Sequence, residues 1–237
     1  VPFRLYQGGI SPFGSQRSRQ PVLPQVLSRI RHLFDLYCDP DAVYEGLASM
    51  NQIHPGLCVR GTRVPGSFDP FEMTVRAVLG QQITVKGART LAARLVAAYG
   101  TSIQTGIEGL THTFPSPEAM LAFDGTIGDH LGPLGITGAR ANTILELARA
   151  FVLGTIDFSF CPQPESELQK LMELPGIGPW TAQYIAMRAM GWTDAFPHTD
   201  YGIQKALAPR TSKEILDLAE TWRPWRSYAT VNLWNSF

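Results

Sequence analysis

LPGIGPWTAQYIAMRAM, residues 174–190, decides the fold. Two glycines stand two positions apart behind Pro175, and the chain runs from them straight into a helical pattern. The preceding ESELQKLMEL, residues 165–174, has helical spacing too, so the stretch from about 166 to 190 predicts two helices joined by a tight hairpin. The glycines permit positive φ and remove the side chains that would hold another backbone at a distance. Such a turn aims free N–H groups, and the positive end of the second helix, at an anion. A DNA phosphate is suitable, a contact that positions a duplex without reading its bases. A tight interhelical turn with no ligand is the alternative.

The second helix has two faces. Ala182, Ile185, Ala186 and Ala189 are small and suit close packing, while Trp180, Tyr184 and Met187, spaced four and three, are expected to stack on the other side as core or pocket wall. Downstream, GWTDAFPHTDYGIQKAL places Asp200 at the start of another helical stretch. An aspartate there reads as an N-cap. That role is compatible with catalysis, because a carboxylate held at a helix N-terminus is what a developing cation requires. His198 has no second ligand at metal spacing and reads as a surface or hydrogen-bonded histidine.

Helices dominate outward from the hairpin. VLPQVLSRIRHLFDLY carries Val22, Val26, Ile30, Leu33 and Phe34 at helical spacing, and DPDAVYEGLASM opens with an Asp-Pro start. In FDPFEMTVRAVLG, Asp69 can cap, Pro70 suits the first helical position, Glu72 stands where a capping-box partner belongs, and Phe71, Val75, Val78 and Leu79 make one apolar face. The pattern breaks at GQQITVKG, residues 80–87, a turn expected to expose Gln81 and Gln82. Further helices are expected from Ser116-Pro117, through GARANTILELARAFVLG (138–154), from the capping box of Thr211 and Glu214, and from Pro224 onward. With no alternating strand pattern of useful length and no regular repeat, the fold class is mainly α.

Composition narrows the setting. The 237 residues carry 20 basic and 20 acidic side chains, so net charge neither supports nor excludes a nucleic-acid partner. Cys38, Cys58 and Cys161 are far apart and odd in number, which suggests free thiols rather than a disulfide framework or a metal site. No run approaches the roughly 20 apolar residues of a membrane span, and the start has no charged head before an apolar block; a soluble protein of the cell interior is expected. Residues 1–21 read as an irregular arm or the remnant of an N-terminal domain. The chain opens on Val1 rather than Met, as a fragment or trimmed chain would.

At this point the residues resemble a known family. LPGIGPWTAQYIAMRAMGWTDAFPHTDYGIQKAL and WRPWRSYATVNLW look like the helix-hairpin-helix DNA glycosylases, in particular the bacterial 3-methyladenine-DNA glycosylase II type; VLSRIRHLFDLYCDP and FDPFEMTVRAVLGQQITVKGA match its earlier helices. Hairpin, aspartate and tryptophan-rich end fall in order over roughly residues 22–235. The resemblance implies two helical subdomains flanking a cleft within 22–237. It implies base excision repair of alkylation damage by base flipping: hydrolysis of the N-glycosidic bond of cationic purines such as 3-methyladenine in double-stranded DNA.

Carried over by position, Asp200 matches the essential aspartate, and Trp180, Tyr184 and Trp234 match aromatic walls of the base pocket. Backbone groups of Gly176, Ile177 and Gly178, with Thr181 beside them, match the phosphate clamp. The carbonyls of Met172, Leu174 and Ile177 match a site for a structural Na+ or K+ when DNA is bound; no cofactor is required. Gln82 stands where relatives insert an apolar wedge, and Ile83 is a second candidate. Family members that also cut the strand use a lysine just after the hairpin to form a Schiff base, and Trp180 stands there instead, so no lyase activity is expected. The branch with an iron–sulfur cluster needs closely spaced cysteines after the hairpin, which this chain lacks. The family's extra N-terminal β-domain is expected to be mostly missing, and a cytoplasmic, nucleoid-associated monomer that makes no membrane contact is expected. The competing reading is a catalytically silent helix-hairpin-helix module that binds DNA for a partner; it leaves Asp200 and the aromatic set unexplained.

Overall fold

The computed structural model describes residues 22–158, 161 and 163–236; the expected N-terminal arm lies outside them. Among the described residues the chain is all helical: α1 (Val22–Leu33), α2 (Pro40–Gly46), α3 (Pro70–Leu79), α4 (Val85–Tyr99), α5 (Pro117–Leu121), α6 (Ile127–Leu131), α7 (Gly138–Val152), α8 (Pro164–Glu173), α9 (Pro179–Ile185), α10 (Tyr201–Ala206), α11 (Ser212–Ala219) and α12 (Arg226–Trp234). One isolated bridge, Ser102 with His112, is the only β pairing among them.

Local chemistry explains most of the starts. Asp39, Asp69, Thr84, Ser116, Thr126, Thr137, Asp200 and Thr211 each cap the helix that follows with a side-chain oxygen. The capping box at Thr211 and Glu214 is complete. The one expected at Asp69 is half made: Asp69 accepts from the Glu72 N–H at 2.8 Å, but the Glu72 carboxylate turns to Arg76 one helical turn on, at 2.7 Å. A guanidinium at i+4 competes well for a carboxylate that would otherwise reach back to a single N–H. The last helix begins at Arg226 rather than at Pro224, with Trp225 as its N-cap.

Two groups of helices meet along α3. On one side α7 collects α3, α5 and α6; on the other α3 packs against α9, and α10 lies on α12. Leu79, Leu95, Leu131, Ile144, Leu147, Leu171, Ile185 and Trp222 are fully enclosed. Helix α1 is an exception to its amphipathic pattern, since it has no buried residue and leaves Val22 and Leu23 two-thirds exposed.

Helix α12 anchors the elements that reach the cleft. The Arg226 guanidinium grips Asp194 with two bonds of 2.7 and 2.8 Å, and Arg223 joins the same carboxylate. Ser227 ties the segment from Trp192 to Ala195 through its hydroxyl and N–H. From the N-terminal side, Asp35 accepts the Tyr228 hydroxyl at 3.2 Å, and Asn232 takes Val59 N–H and the Thr62 hydroxyl. Burial first, then the neighbouring Cys38 and Asp35, push the Tyr228 hydroxyl far above its ordinary range, so it stays a donor. Replacing Asp194 by alanine leaves the buried Arg226 without its bidentate partner; we expect a loss of about 3–5 kcal/mol, read from urea unfolding.

Candidate active site

The hairpin lies between α8 and α9, as its glycines require. Gly176 has φ of +81°, and a methyl group added to it would stand 2.1 Å from the Thr143 hydroxyl of α7. That hydroxyl donates to the Pro175 carbonyl at 2.8 Å, fixing the turn on α7. Only glycine meets both conditions, the left-handed backbone and the close approach. Gly178 precedes α9 with an extended backbone and open space around its Cα.

The 80–84 turn is tied to the same hairpin. The side-chain amide of Gln81 donates to the Gly176 carbonyl at 2.9 Å and to the Thr181 hydroxyl at 3.0 Å, while Arg140 at the start of α7 donates to the Gln81 carbonyl. Gln81 is therefore half-buried and committed, not displayed as its turn suggested. Gln82 is exposed, with φ of +53°, a left-handed conformation that a residue with a Cβ adopts at a cost of about 1–2 kcal/mol. Ile83 beside it is more than one-third exposed. Both wedge candidates thus stand at the rim, on a turn whose base is fixed.

A cleft of about 910 Å3 runs between these parts, lined by Gln81, Gln82, Arg140, Gly176, Trp180 and Asp200 among others. The starts of α7, α9 and α10 all border it. Asp200 caps α10, its Oδ1 accepting from Gly202 N–H at 2.8 Å and Ile203 N–H at 3.3 Å. Two indoles add to this: Trp234 Nε1 donates to Oδ1 at 2.8 Å and Trp180 Nε1 to Oδ2 at 2.9 Å. Trp180 lies flat on Tyr184, ring centroids 5.2 Å apart, and Trp234 leans on Tyr184 at 6.3 Å.

The aromatic set and the aspartate expected from sequence are therefore brought together, but of the three rings only Trp180 is among the residues that line the cleft. Met187 is fully buried, and the residue over the Tyr184 ring is Arg188, its guanidinium 5.8 Å from the centroid. Arg188 is one α-helical repeat beyond Tyr184, where α9 opens into a π-helical turn, Ala186–Met190; apolar spacing alone favoured its neighbour. The Thr181 side chain is buried and accepts from Gln81, and the Ile177 side chain is buried, so Ile177 can offer a partner only its backbone. His198 is half-buried, and burial pulls its imidazole below the ordinary value. The Met172, Leu174 and Ile177 carbonyls lie at the C-terminal turn of α8 and in the hairpin; the Leu174 oxygen already accepts from Ile177 N–H at 3.1 Å. Sequence reasoning missed Gln81 and Arg140, whose partners are far along the chain.

Comparison with known proteins fixes the lineage. The family described as "HhH-GPD superfamily base excision DNA repair protein" matches residues 75–211, more than half of the chain. The chain belongs to the HhH-GPD superfamily. A second family, described as "AlkA N-terminal domain", matches residues 14–69, and the boundary expected at residues 21 and 22 falls inside that match. Among HhH-GPD relatives, the chain is 36% identical over 215 residues to DNA-3-methyladenine glycosylase 2 of Escherichia coli, covering 91% of this chain and 73% of the relative. It is 39% identical over 218 residues to a probable bifunctional transcriptional activator/DNA repair enzyme AlkA of Mycobacterium tuberculosis, covering 88% of this chain but only 42% of that relative. The solved structure of MBOgg1 in complex with a low affinity DNA ligand superposes with a TM-score of 0.74 at 22% identity, over 90% of this chain and 74% of that one, and so shares the HhH-GPD fold.

Two variants test how the hairpin is held. Gly176→Ala should lower stability by about 1–2 kcal/mol or more from the left-handed backbone alone, with the Thr143 clash adding to it; thermal unfolding of the variant with and without Thr143→Ala separates the two. Gln81→Ala leaves the buried Thr181 hydroxyl and the Gly176 carbonyl short of a donor, and should cost about 1–3 kcal/mol in urea unfolding.

Proposed function

We propose that this protein is a monofunctional DNA glycosylase that removes alkylated, cationic purines from duplex DNA by hydrolysis, leaving an abasic site. The observation that carries the reading is the Asp200 carboxylate at the head of α10, facing a cleft bordered by the hairpin and bracketed by two indoles. The likeness to the Escherichia coli glycosylase supports the substrate class.

The backbone N–H groups of Gly176 and Gly178 and those at the start of α9 receive phosphates, the Ile177 N–H being engaged by the Leu174 carbonyl. The duplex bends, Gln82 or Ile83 fills the gap, and the damaged nucleotide rotates into the cleft beside Trp180. A base alkylated at N3 or N7 is positively charged, and an aromatic face favours it by about 1–2 kcal/mol when desolvated. The larger selection lies in the bond. The C1′–N bond breaks with its electron pair going to the base, which leaves neutral and needs no general acid. The sugar becomes oxocarbenium-like and Asp200 stabilises it; water adds at C1′ and gives up its proton to Asp200 or to solvent.

A Schiff-base route would need an amine just after the hairpin, where Trp180 stands; Lys170, before the hairpin, is paired with Glu167 at 2.6 Å. The fitness of the hairpin for a monovalent cation rests on carbonyls of Met172, Leu174 and Ile177 at the negative end of α8, where a small cation would be favoured. On this reading the enzyme requires no cofactor, a Na+ or K+ at the hairpin being structural, and acts as a monomer. Among the described residues no helix is long and apolar enough to cross a membrane.

Asp200→Asn decides the matter, because asparagine caps a helix about as well as aspartate but carries no charge. Release of free base from methylated duplex DNA should fall by about 10²-fold or more, with duplex binding retained and no borohydride-trapped adduct from either protein. Joint loss of excision and binding would make Asp200 chiefly a cap. Binding without release by the unaltered protein would favour the silent module.

A further inference from the structure

The four N–H donors on Asp200 are shared unequally between its two oxygens. Oδ1 takes Trp234 Nε1 at 2.8 Å, Gly202 N–H at 2.8 Å and Ile203 N–H at 3.3 Å, whereas Oδ2 takes Trp180 Nε1 at 2.9 Å. An ionised carboxylate oxygen has about two lone-pair sites, so Oδ1 is saturated and Oδ2 keeps one open. The two indoles also differ in place: Trp180 lines the cleft with Asp200, and Trp234 is not among its lining residues. A wall built only to stack a base could be phenylalanine. Here both rings carry a donor, both donors converge on one carboxylate, and they come from two different helices, Trp180 from the first turn of α9 and Trp234 from the last residue of α12.

Resting on the glycosylase reading above, we propose that Trp234 and Trp180 are positioning residues for Asp200: Trp234 and the start of α10 immobilise Oδ1, and Trp180 steadies Oδ2 as the oxygen presented to the sugar. Rotation about the Cβ–Cγ bond of Asp200 would break all of these bonds together. The carboxylate therefore meets the developing charge without reorganising, which is what makes a fixed charge effective in a transition state. The stack of Trp180 on Tyr184, 5.2 Å between centroids and 8° from parallel, serves the same end by fixing the direction of the Trp180 N–H.

The test replaces one atom. Benzothienylalanine at position 234 keeps the shape and π face of tryptophan and puts sulfur in place of the N–H; Trp234→Phe is the genetic counterpart, and position 180 is treated in the same two ways. Each variant should lower the single-turnover rate of base release about ten- to a hundredfold, the range expected for a hydrogen bond to a charged group. At position 234, which does not line the cleft, the DNA concentration giving half the maximal rate should not move. A sulfur variant at position 234 that retains the full rate would overturn the proposal and leave Trp234 as packing against Tyr184, and a matching rise in the half-saturating concentration would make it a shape element. A second reading needs no turnover: in the 15N–1H spectrum, two of the five tryptophan indole signals should lie downfield and return on Asp200→Ala. Those shifts present in a protein that releases no base would sink the glycosylase reading but keep the geometry. Their absence would sink this inference whatever the protein's activity.

Discussion

A charge at the edge of solvent has to be held still, and the most consequential interaction in this molecule is the set of N–H donors that does so for Asp200. Two come from the backbone at the start of α10 and two from indoles on α9 and α12. Three helices must therefore arrive at one carboxylate in register. Much of the remaining structure can be read as what that demands: the Asp194, Arg223 and Arg226 cluster and Ser227 fix the segment before Asp200 onto α12, and Asp35 with Asn232 hold the N-terminal part against the same helix. These bonds cross long separations in sequence, so the site is a product of tertiary structure even though its parts are local.

That division explains what could be read beforehand. Helix starts were legible wherever the signal is carried by adjacent residues: Asp39-Pro40, Asp69-Pro70, Ser116-Pro117 and the Thr211/Glu214 box need no knowledge of the rest of the chain. The hairpin was legible because its glycines state a backbone requirement, which the positive φ of Gly176 meets. Asp200 was legible as a cap and, through family resemblance, as the candidate catalytic group.

The contacts between those parts were hidden. Spacing identified an aromatic stripe but chose Met187 over Arg188, because apolarity was the criterion and a cation over a tyrosine ring does not register as a stripe. Gln81 looked like a displayed glutamine; its partners lie 95 and 100 positions away, and no local pattern encodes them. Trp180 and Trp234 were read by their faces, whereas in the folded chain their edges are engaged as well. The apolar side of α1 is the converse case, a clear periodic signal whose Val26, Ile30 and Leu33 end only half-buried.

The seam between the 80–84 turn and the hairpin has a mechanical meaning. Gln81, Arg140 and Thr143 join the turn, the hairpin and the head of α7 into one block, so the rim that would enter a duplex and the surface that would hold its backbone cannot shift independently. On the proposed reading the protein acts as a stiff anvil and the nucleic acid supplies the deformation. Sites would then be sorted first by how readily their stacking yields, before any base meets Asp200. A search conducted in that way spends little time on sound, rigid duplex, and it places the first test of damage in the elasticity of the DNA rather than in the chemistry of the pocket.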